Sequence, residues 1–351
     1  MLLLVVGTAD GHNISVIVVN WNRRDLLRAC LQSLACQTTP ALEVILVDNG
    51  SSDGSSEMAR AEFGTLPLRV IENRENRGFC AANNQGIAAA RGDLIALLNN
   101  DAEADPAWLA ELSGAFAGRP DTGMAASKIL VHEDPTTIDK VGHLIYLDGQ
   151  NRGRGTGQRD RGQFDEIEEV AWPDGCACMY RRSMLERIGG FDEDFFAYAD
   201  DAELGLRARI AGWGCLYIPR AVVRHHRGAT LGVLSPRRLE LIERNRVLLA
   251  AKLFPWSLLW LNGVYYLARI AAGALASTRN KGEVRRFPGI RGKWLLLSSL
   301  MKADWAAIRM LPKMFRKRRS IEAIRKLSPR ETRKLLYRFR ITLRELTEQA
   351  I

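Results

Sequence analysis

Four apolar runs, each closing on asparagine or an acid, alternate with helical segments along the early part of the chain. "ISVIVVN" (Ile14 to Asn20) is continuous and rich in β-branched residues, as expected of a parallel strand covered on both faces. "EVILVDNGS", "LRVIEN" and "DLIALLNND" read as three more strands. Between them lie "RRDLLRACLQSLACQ", with helical spacing at Leu26, Leu27, Cys30, Leu31 and Leu34, then "DGSSEMARAEF" and "FCAANNQGIAAA". Four strands joined by three helices predict successive right-handed βαβ crossovers, hence an α/β fold on a mostly parallel, Rossmann-like sheet with helices on both faces.

Such sheets bind ligands beyond the carboxyl ends of their strands. The four exits here read "NWN", "VDNGSSDGS", "ENRENRGF" and "NNDAEAD", and together they predict one polar rim. A nicotinamide-dependent dehydrogenase would share the alternation, but it needs GxGxxG after its first strand, where this chain has "NWNRRD".

After Gly123 the regularity falls. "GMAASKIL" and "HLIYLDG" look like strands, and "NRGRGTGQRDRGQ" reads as a mobile loop without apolar periodicity. "MLERIGGFDEDFFAYADDAELGLRARIAGWG" gives a short helix, a Gly-Gly break, an acidic turn and a second helix, and "CLYIPRAVVRHH" gives one or two strands. From Pro236 the chain turns helical. "LFPWSLLWLNGVYYLARIAAGALA" is apolar but interrupted by Pro255, Asn262 and Arg269, which leaves it marginal against the roughly 20 apolar residues of a spanning helix. An interfacial helix lying on a membrane and a helix packed on the globular body both fit it.

The formal net charge of +10 resides in the tail. From Ser277 onward about 21 basic residues face about 6 acidic ones, a balance that suits anionic lipid or another polyanion. The cysteines, Cys30, Cys36, Cys80, Cys176, Cys178 and Cys215, form no paired CxxC set, so reduced thiols are expected rather than a zinc site. The opening "MLLLVVG" is too short for a signal-peptide core and lacks basic residues before it, so no secretion is expected.

Several motifs in order, "SVIVVNWN", "VDNGSSDGS", "NRGFCAANNQGI", "LLNNDAEADPAWL", "DGCACMYRRSMLERIGGFDEDFF", "YADDAELGLRARIAGW" and "HHRGAT", resemble the family 2 glycosyltransferases of GT-A fold, and among them the rhamnosyltransferase-like bacterial members. The resemblance runs from about Ser15 to Thr230. The resemblance implies a GT-A domain over 1–235, beyond which the charge and apolar stretch of the helical, basic region over 236–351 suit either the membrane periphery or packing on the globular body. It further implies an inverting, metal-dependent transfer of a hexose, rhamnose among the candidates, from a dTDP- or UDP-sugar to a saccharide or lipid-linked saccharide acceptor. That chemistry belongs to cell-surface polysaccharide or glycolipid synthesis, in the cytoplasm at the inner face of the cytoplasmic membrane. No nucleic-acid partner is expected. The alternative is a catalytically weak or inactive homologue acting as a membrane- or polyanion-binding module.

The resemblance also assigns residues. Asp48 stands where the family reads the pyrimidine ring of the donor, and Asn20, Arg77, Gly78, Asn84 and Asn100 complete the implied donor contacts, with Gly78 allowing close approach. "NND" (Asn99 to Asp101) occupies the place of the family's DxD motif, with Asn99 replacing its first acid. Asp101 is the implied ligand of Mg²⁺ or Mn²⁺, and His225, with His226 as alternative, is the implied second ligand; a hard cation accepts carboxylate oxygen, and Mn²⁺ also accepts imidazole. In "YADDAELG", Asp201 matches the catalytic base and Asp200 lies on the acceptor side, where Trp172 and Asp174 of "WPDGCACM" are also implied. An inverting transfer needs one such base, on the face of the sugar opposite the leaving group.

Overall fold

The computed structural model describes residues 13–227, 235–278 and 289–348. The opening "MLLLVVG" and the "GAT" of the last motif lie outside the described residues. Strands β1 (Ile14–Asn20), β2 (Glu43–Asp48), β3 (Leu68–Glu72) and β4 (Leu94–Leu98) form from the four apolar runs and pair in parallel in the order β4-β1-β2-β3. Their side chains alternate between two buried faces: Ile17, Ile45, Val47, Ile95 and Leu97 on one, Val16, Val18, Val44, Leu46 and Ala96 on the other. Helices α1 (Arg24–Ala35) and α2 (Ser55–Glu62) pack on the second face, and α3 (Gly78–Ala89) on the first.

The later part of the chain extends this sheet with mixed polarity. It adds β5 (Ala102–Ala104), α4 (Trp108–Gly114), β6 (Thr122–Val131), β7 (Ile138–Lys140), the hairpin β8 (His143–Ile145) and β9 (Asn151–Gly153), β10 (Glu168–Glu169), β11 (Ala177–Arg181), α5 (Arg182–Ile188), α6 (Asp200–Ile210) and β12 (Gly214–His225). The full order is β10-β12-β6-β11-β4-β1-β2-β3, with β11 antiparallel to both neighbours, β5 antiparallel to β12, and β7 on β6. The segment expected to be a mobile loop is pinned instead. Gln158 and Gly157 exchange backbone hydrogen bonds with Ile138, and Lys128 Nζ bonds Asp160 at 2.8 Å and Asp165 at 2.6 Å. The buried Lys128 of β6 and the pairing with Ile138 of β7, both invisible to hydrophobic periodicity, supply what an apolar pattern would have signalled.

The C-terminal helices are α7 (Pro236–Leu253), α8 (Trp256–Leu259), α9 (Asn262–Thr278), α10 (Gly289–Ile324), α11 (Pro329–Arg338) and α12 (Leu343–Glu348). Ser235 caps α7 with Pro236 in its first turn, and Ser328 with Glu331 forms a capping box on α11. Leu248, Leu249 and Leu253 of α7, with Phe254 just after it, join the same hydrophobic core as β2, α5 and α6. The chain after α11 returns to the hairpin: Ile145 and Ile341 are backbone bonded, and the Arg152 guanidinium bonds the Glu345 carbonyl.

Candidate active site

The carboxyl ends of β1, β2 and β4 lie side by side, so their terminal polar residues meet. Asn20 is opposite Asp48 in the parallel register. Its amide nitrogen donates to Asp48 Oδ2 at 3.0 Å and to Ser51 Oγ at 3.1 Å, and its oxygen accepts from Asn100 Nδ2 at 2.6 Å. The Ser51 N–H holds the other Asp48 oxygen at 2.7 Å. One hydrogen-bonded chain therefore runs Asp48, Asn20, Asn100 across three strands.

Asp101 is the next residue. It is buried, and its Oδ1 has no hydrogen-bond partner, although His225 Nε2 lies 3.4 Å away. The other ring nitrogen of His225 meets Asp139 Oδ2 at 2.8 Å, and Arg227 holds the second Asp139 oxygen at 3.0 Å. A carboxylate behind an imidazole fixes the tautomer and orientation of a metal-binding histidine. Burial works against the imidazolium, yet Cys176, Asp101 and Asp139 hold His225 well above its ordinary pKa. An unsatisfied carboxylate oxygen facing an oriented imidazole is a donor set that fits Mn²⁺. His226 turns the other way, stacking on His132 and reaching Glu103 and Glu133. There Glu103, His132 and His226 bring one ligand atom each within 4.8 Å of one another.

The implied base lies in a second cluster. Asp201 Oδ2 is 3.3 Å from His143 Nε2, which also meets Asp174 Oδ2 at 2.8 Å, while Lys140 Nζ sits 2.7 Å from that oxygen. Burial lowers the His143 pKa, but Asp201 and Asp174 outweigh it and raise it to about 9. Against the upward push of burial, Lys140 and His143 hold Asp174 well below the carboxylate range. Burial, then the charge of Asp201, pushes Asp200 well above that range. The ligand atoms of His143, Asp174 and Asp201 also fall within 4.8 Å of one another, but here Lys140 already supplies a cation.

Two short segments join the clusters. Asp139 reaches His225 while its neighbour Lys140 reaches Asp174. The Cys176 N–H donates to Asp174 Oδ1 at 2.9 Å, its carbonyl accepts from Asn99, and its thiol lies against His225. Contacts thus run from Asp101 through His225, Asp139, Lys140 and Asp174 to His143 and Asp201, and the Asp48–Asn20–Asn100 chain abuts them at Asn100, the neighbour of Asp101. Asp139, Lys140 and His143 were missed by the sequence reading; their signal is the run of charged residues in "IDKVGH", alternating with apolar ones.

Three expected contacts are corrected. Trp172 is 1% exposed, with Gly205 against its Cβ and the His143 ring parallel at 6.2 Å, so it backs the histidine and has no face for a sugar. Asn84 exchanges two hydrogen bonds with the Phe191 backbone and reaches Glu193, which occupies its amide. Gly78 has φ +84°, and a Cβ there would lie 2.5 Å from the Phe196 ring; the close approach it permits is that of Phe196. Arg77 is exposed beside this loop, its N–H bonded to the Asn49 side chain.

The sequence profile described as "Glycosyl transferase family 2" matches residues 15–189, from β1 through α5. The chain belongs to glycosyl transferase family 2. Among curated relatives of this family 2 chain, the N-acetylglucosaminyl-diphospho-decaprenol L-rhamnosyltransferase of Mycobacterium tuberculosis is 27% identical over 238 residues, covering 62% of this chain and 77% of that one. The uncharacterized protein y4gI of Sinorhizobium fredii is 28% identical over 235 residues, and there the match spans only 25% of the relative's length. In fold, the family 2 chain is similar to the mannosyltransferase PcManGT from Pyrobaculum calidifontis, solved with GDP-Man and Mn²⁺, at a TM-score of 0.52 and 18% identity over 91% of this chain and 87% of that one.

Proposed function

We propose that this protein is an inverting, metal-dependent glycosyltransferase that moves a hexose, rhamnose in our reading, from a dTDP- or UDP-sugar to a lipid-linked saccharide at the cytoplasmic membrane face. The observation that carries this is the continuity of the rim: the Asp48–Asn20–Asn100 chain runs directly into Asp101 and His225, and from there into the Asp201 cluster. The rhamnosyltransferase relative supports the sugar and the lipid-linked acceptor.

In this reading Asp48 and Asn20 accept and donate hydrogen bonds at the nucleoside. Asp101 and His225 would hold Mg²⁺ or Mn²⁺, which supplies charge neutralisation at the departing diphosphate. Asp201 takes the proton of the acceptor hydroxyl. His143, with backbone N–H groups of Ala202 and Gly175 on its oxygens, holds the Asp201 carboxyl group in place and aimed. Asp200, held protonated, avoids a second negative charge beside it.

The test is nucleoside diphosphate release from a panel of nucleotide sugars with a polyprenyl-diphosphate-linked acceptor. Asp201→Asn is expected to slow transfer by about 10²- to 10⁴-fold while leaving donor affinity unchanged. Undiminished transfer by that variant overturns the role assigned to Asp201.

A further inference from the structure

Helix α9 is amphipathic in the inverted sense. Its polar side faces the protein: Arg269 bonds Asp148 at 2.6 Å and Glu243 at 2.7 and 2.9 Å, and the Tyr266 hydroxyl donates to Asp304 of α10 at 3.1 Å. Its apolar side faces outward, continuing from Trp260, 81% exposed, through Val264 to Leu267, 67% exposed, at helical spacing. Helix α10 is built the same way. Small residues Ser299, Ala303 and Ala307 are buried, whereas Leu297, Met301, Trp305 and Ile308 recur on the outer side, with Trp305 60% exposed.

The two outward stripes form one surface. The Trp256 ring stacks on Phe315, both of them exposed, and Tyr266 bonds Asp304, so residue numbers run in opposite senses along the two segments and the stripes meet at the Trp256–Phe315 end. Basic residues border it: Arg291, Lys293 and Lys302 are exposed on α10, and the Arg309 guanidinium lies 5.2 Å above the Trp305 ring. Among the described residues no helix is long and apolar enough to cross a membrane. An apolar face rich in tryptophan and bordered by lysine and arginine is the chemistry of a helix pair lying in a headgroup layer, with rings at the polar boundary and cations on anionic lipid.

We infer that the outer face of α8, α9 and α10 is a docking surface for an anionic bilayer, with Trp260, Leu267 and Trp305 inserted. The inference rests on the proposed reaction for the choice of a membrane and deepens it by giving the orientation in which a lipid-linked acceptor is met. The inner side of α9 grips the hairpin that carries His143: Arg269 holds Asp148, and Tyr265 packs edge-on against Tyr146. The docked helix and the base cluster are thus mechanically connected.

The test is sedimentation of the full chain with vesicles of phosphatidylcholine, with and without phosphatidylglycerol. The expected result is binding to the phosphatidylglycerol vesicles with a blue shift of tryptophan emission, and a loss of about tenfold or more in partitioning for the combined Trp260→Glu, Leu267→Glu, Trp305→Glu variant. A second variant, Arg291→Glu with Lys293→Glu, should weaken binding on anionic vesicles alone. Unchanged unfolding temperature and unchanged nucleoside diphosphate release without vesicles show that the variants are folded. Absence of wild-type binding, or equal binding by the combined variant, overturns the inference. So does a dimer in solution that the same substitutions split, because a second copy then covers the face. Donor turnover without lipid is read separately, so failure of the reaction and failure of docking are distinct results.

Discussion

At the residue scale the site is a balance of buried charge, and His143 is its most informative titratable group. Its pKa of about 9 lies above the ordinary 6.5, so the folded protein binds this proton more tightly than the unfolded chain does. The resulting stabilisation is fully present below pH 6.5 and is lost as pH rises through 9. The shift corresponds to about 3 kcal/mol for this buried side chain. Denaturant midpoints of the wild type should fall over that window, and those of His143→Gln should fall less steeply, the remaining slope coming from His225, whose pKa is raised in the same direction. A slope undiminished in the variant would assign the dependence to groups other than His143. Because His143 also touches Asp201, the variant should lower turnover more than donor affinity.

At the scale of elements, the segment leading into α6 explains how Asp200 and Asp201 reach the site. Phe196, Tyr198 and Ala199 all have positive φ, at 65°, 67° and 55°, a conformation that costs on the order of 1–3 kcal/mol per non-glycine residue. Asn245 of α7 offsets this: its amide donates to the carbonyls of Phe195, Ala197 and Tyr198 at 2.9, 2.9 and 2.7 Å. Asn245→Leu should therefore reduce turnover while leaving donor KM unchanged; a variant with wild-type turnover would show that the strained turn holds without the clamp. No sequence pattern announces such a clamp, since a lone asparagine in a helix carries no signature. The first four strands were legible because long, alternating, doubly buried runs have a period. β7, β8 and β9 have three residues each, too few for a period, and Asp139, Lys140 and His143 sit there. The positions of Asp48, Asn100 and Asp101 at the sheet rim were legible because they lie at or just beyond the ends of β2 and β4, and Asp201 could be placed because it opens the helical pattern of α6. Trp172, Asn84 and Gly78 were misread because motif position does not reveal which of two neighbours, ligand or protein, fills the adjacent space.

At the scale of the whole molecule, one hydrophobic core crosses the division at residue 235. Leu248, Leu249, Leu253, Phe254 and Leu258 lie in the same core as β2, α5 and α6, each essentially inaccessible to solvent. Removing five such side chains strips on the order of 10 kcal/mol of apolar burial, comparable to the whole stability of an ordinary domain. It also leaves Glu203 without Lys252 and Asp148 without Arg246 and Arg269, uncovering carboxylates that the sheet side buries. A chain ending at residue 235 should accordingly lack a cooperative thermal transition and bind a hydrophobic dye, while the full chain unfolds in a single transition that includes α7. Calorimetry of the two forms decides it. A truncated protein that unfolds cooperatively at the wild-type temperature would mean that the sheet closes its core alone and that α7 is an accessory. Where the single transition is found, the helices bearing the outward apolar face are fastened to the catalytic sheet by its own hydrophobic core, and docking that face fixes the direction in which the rim opens.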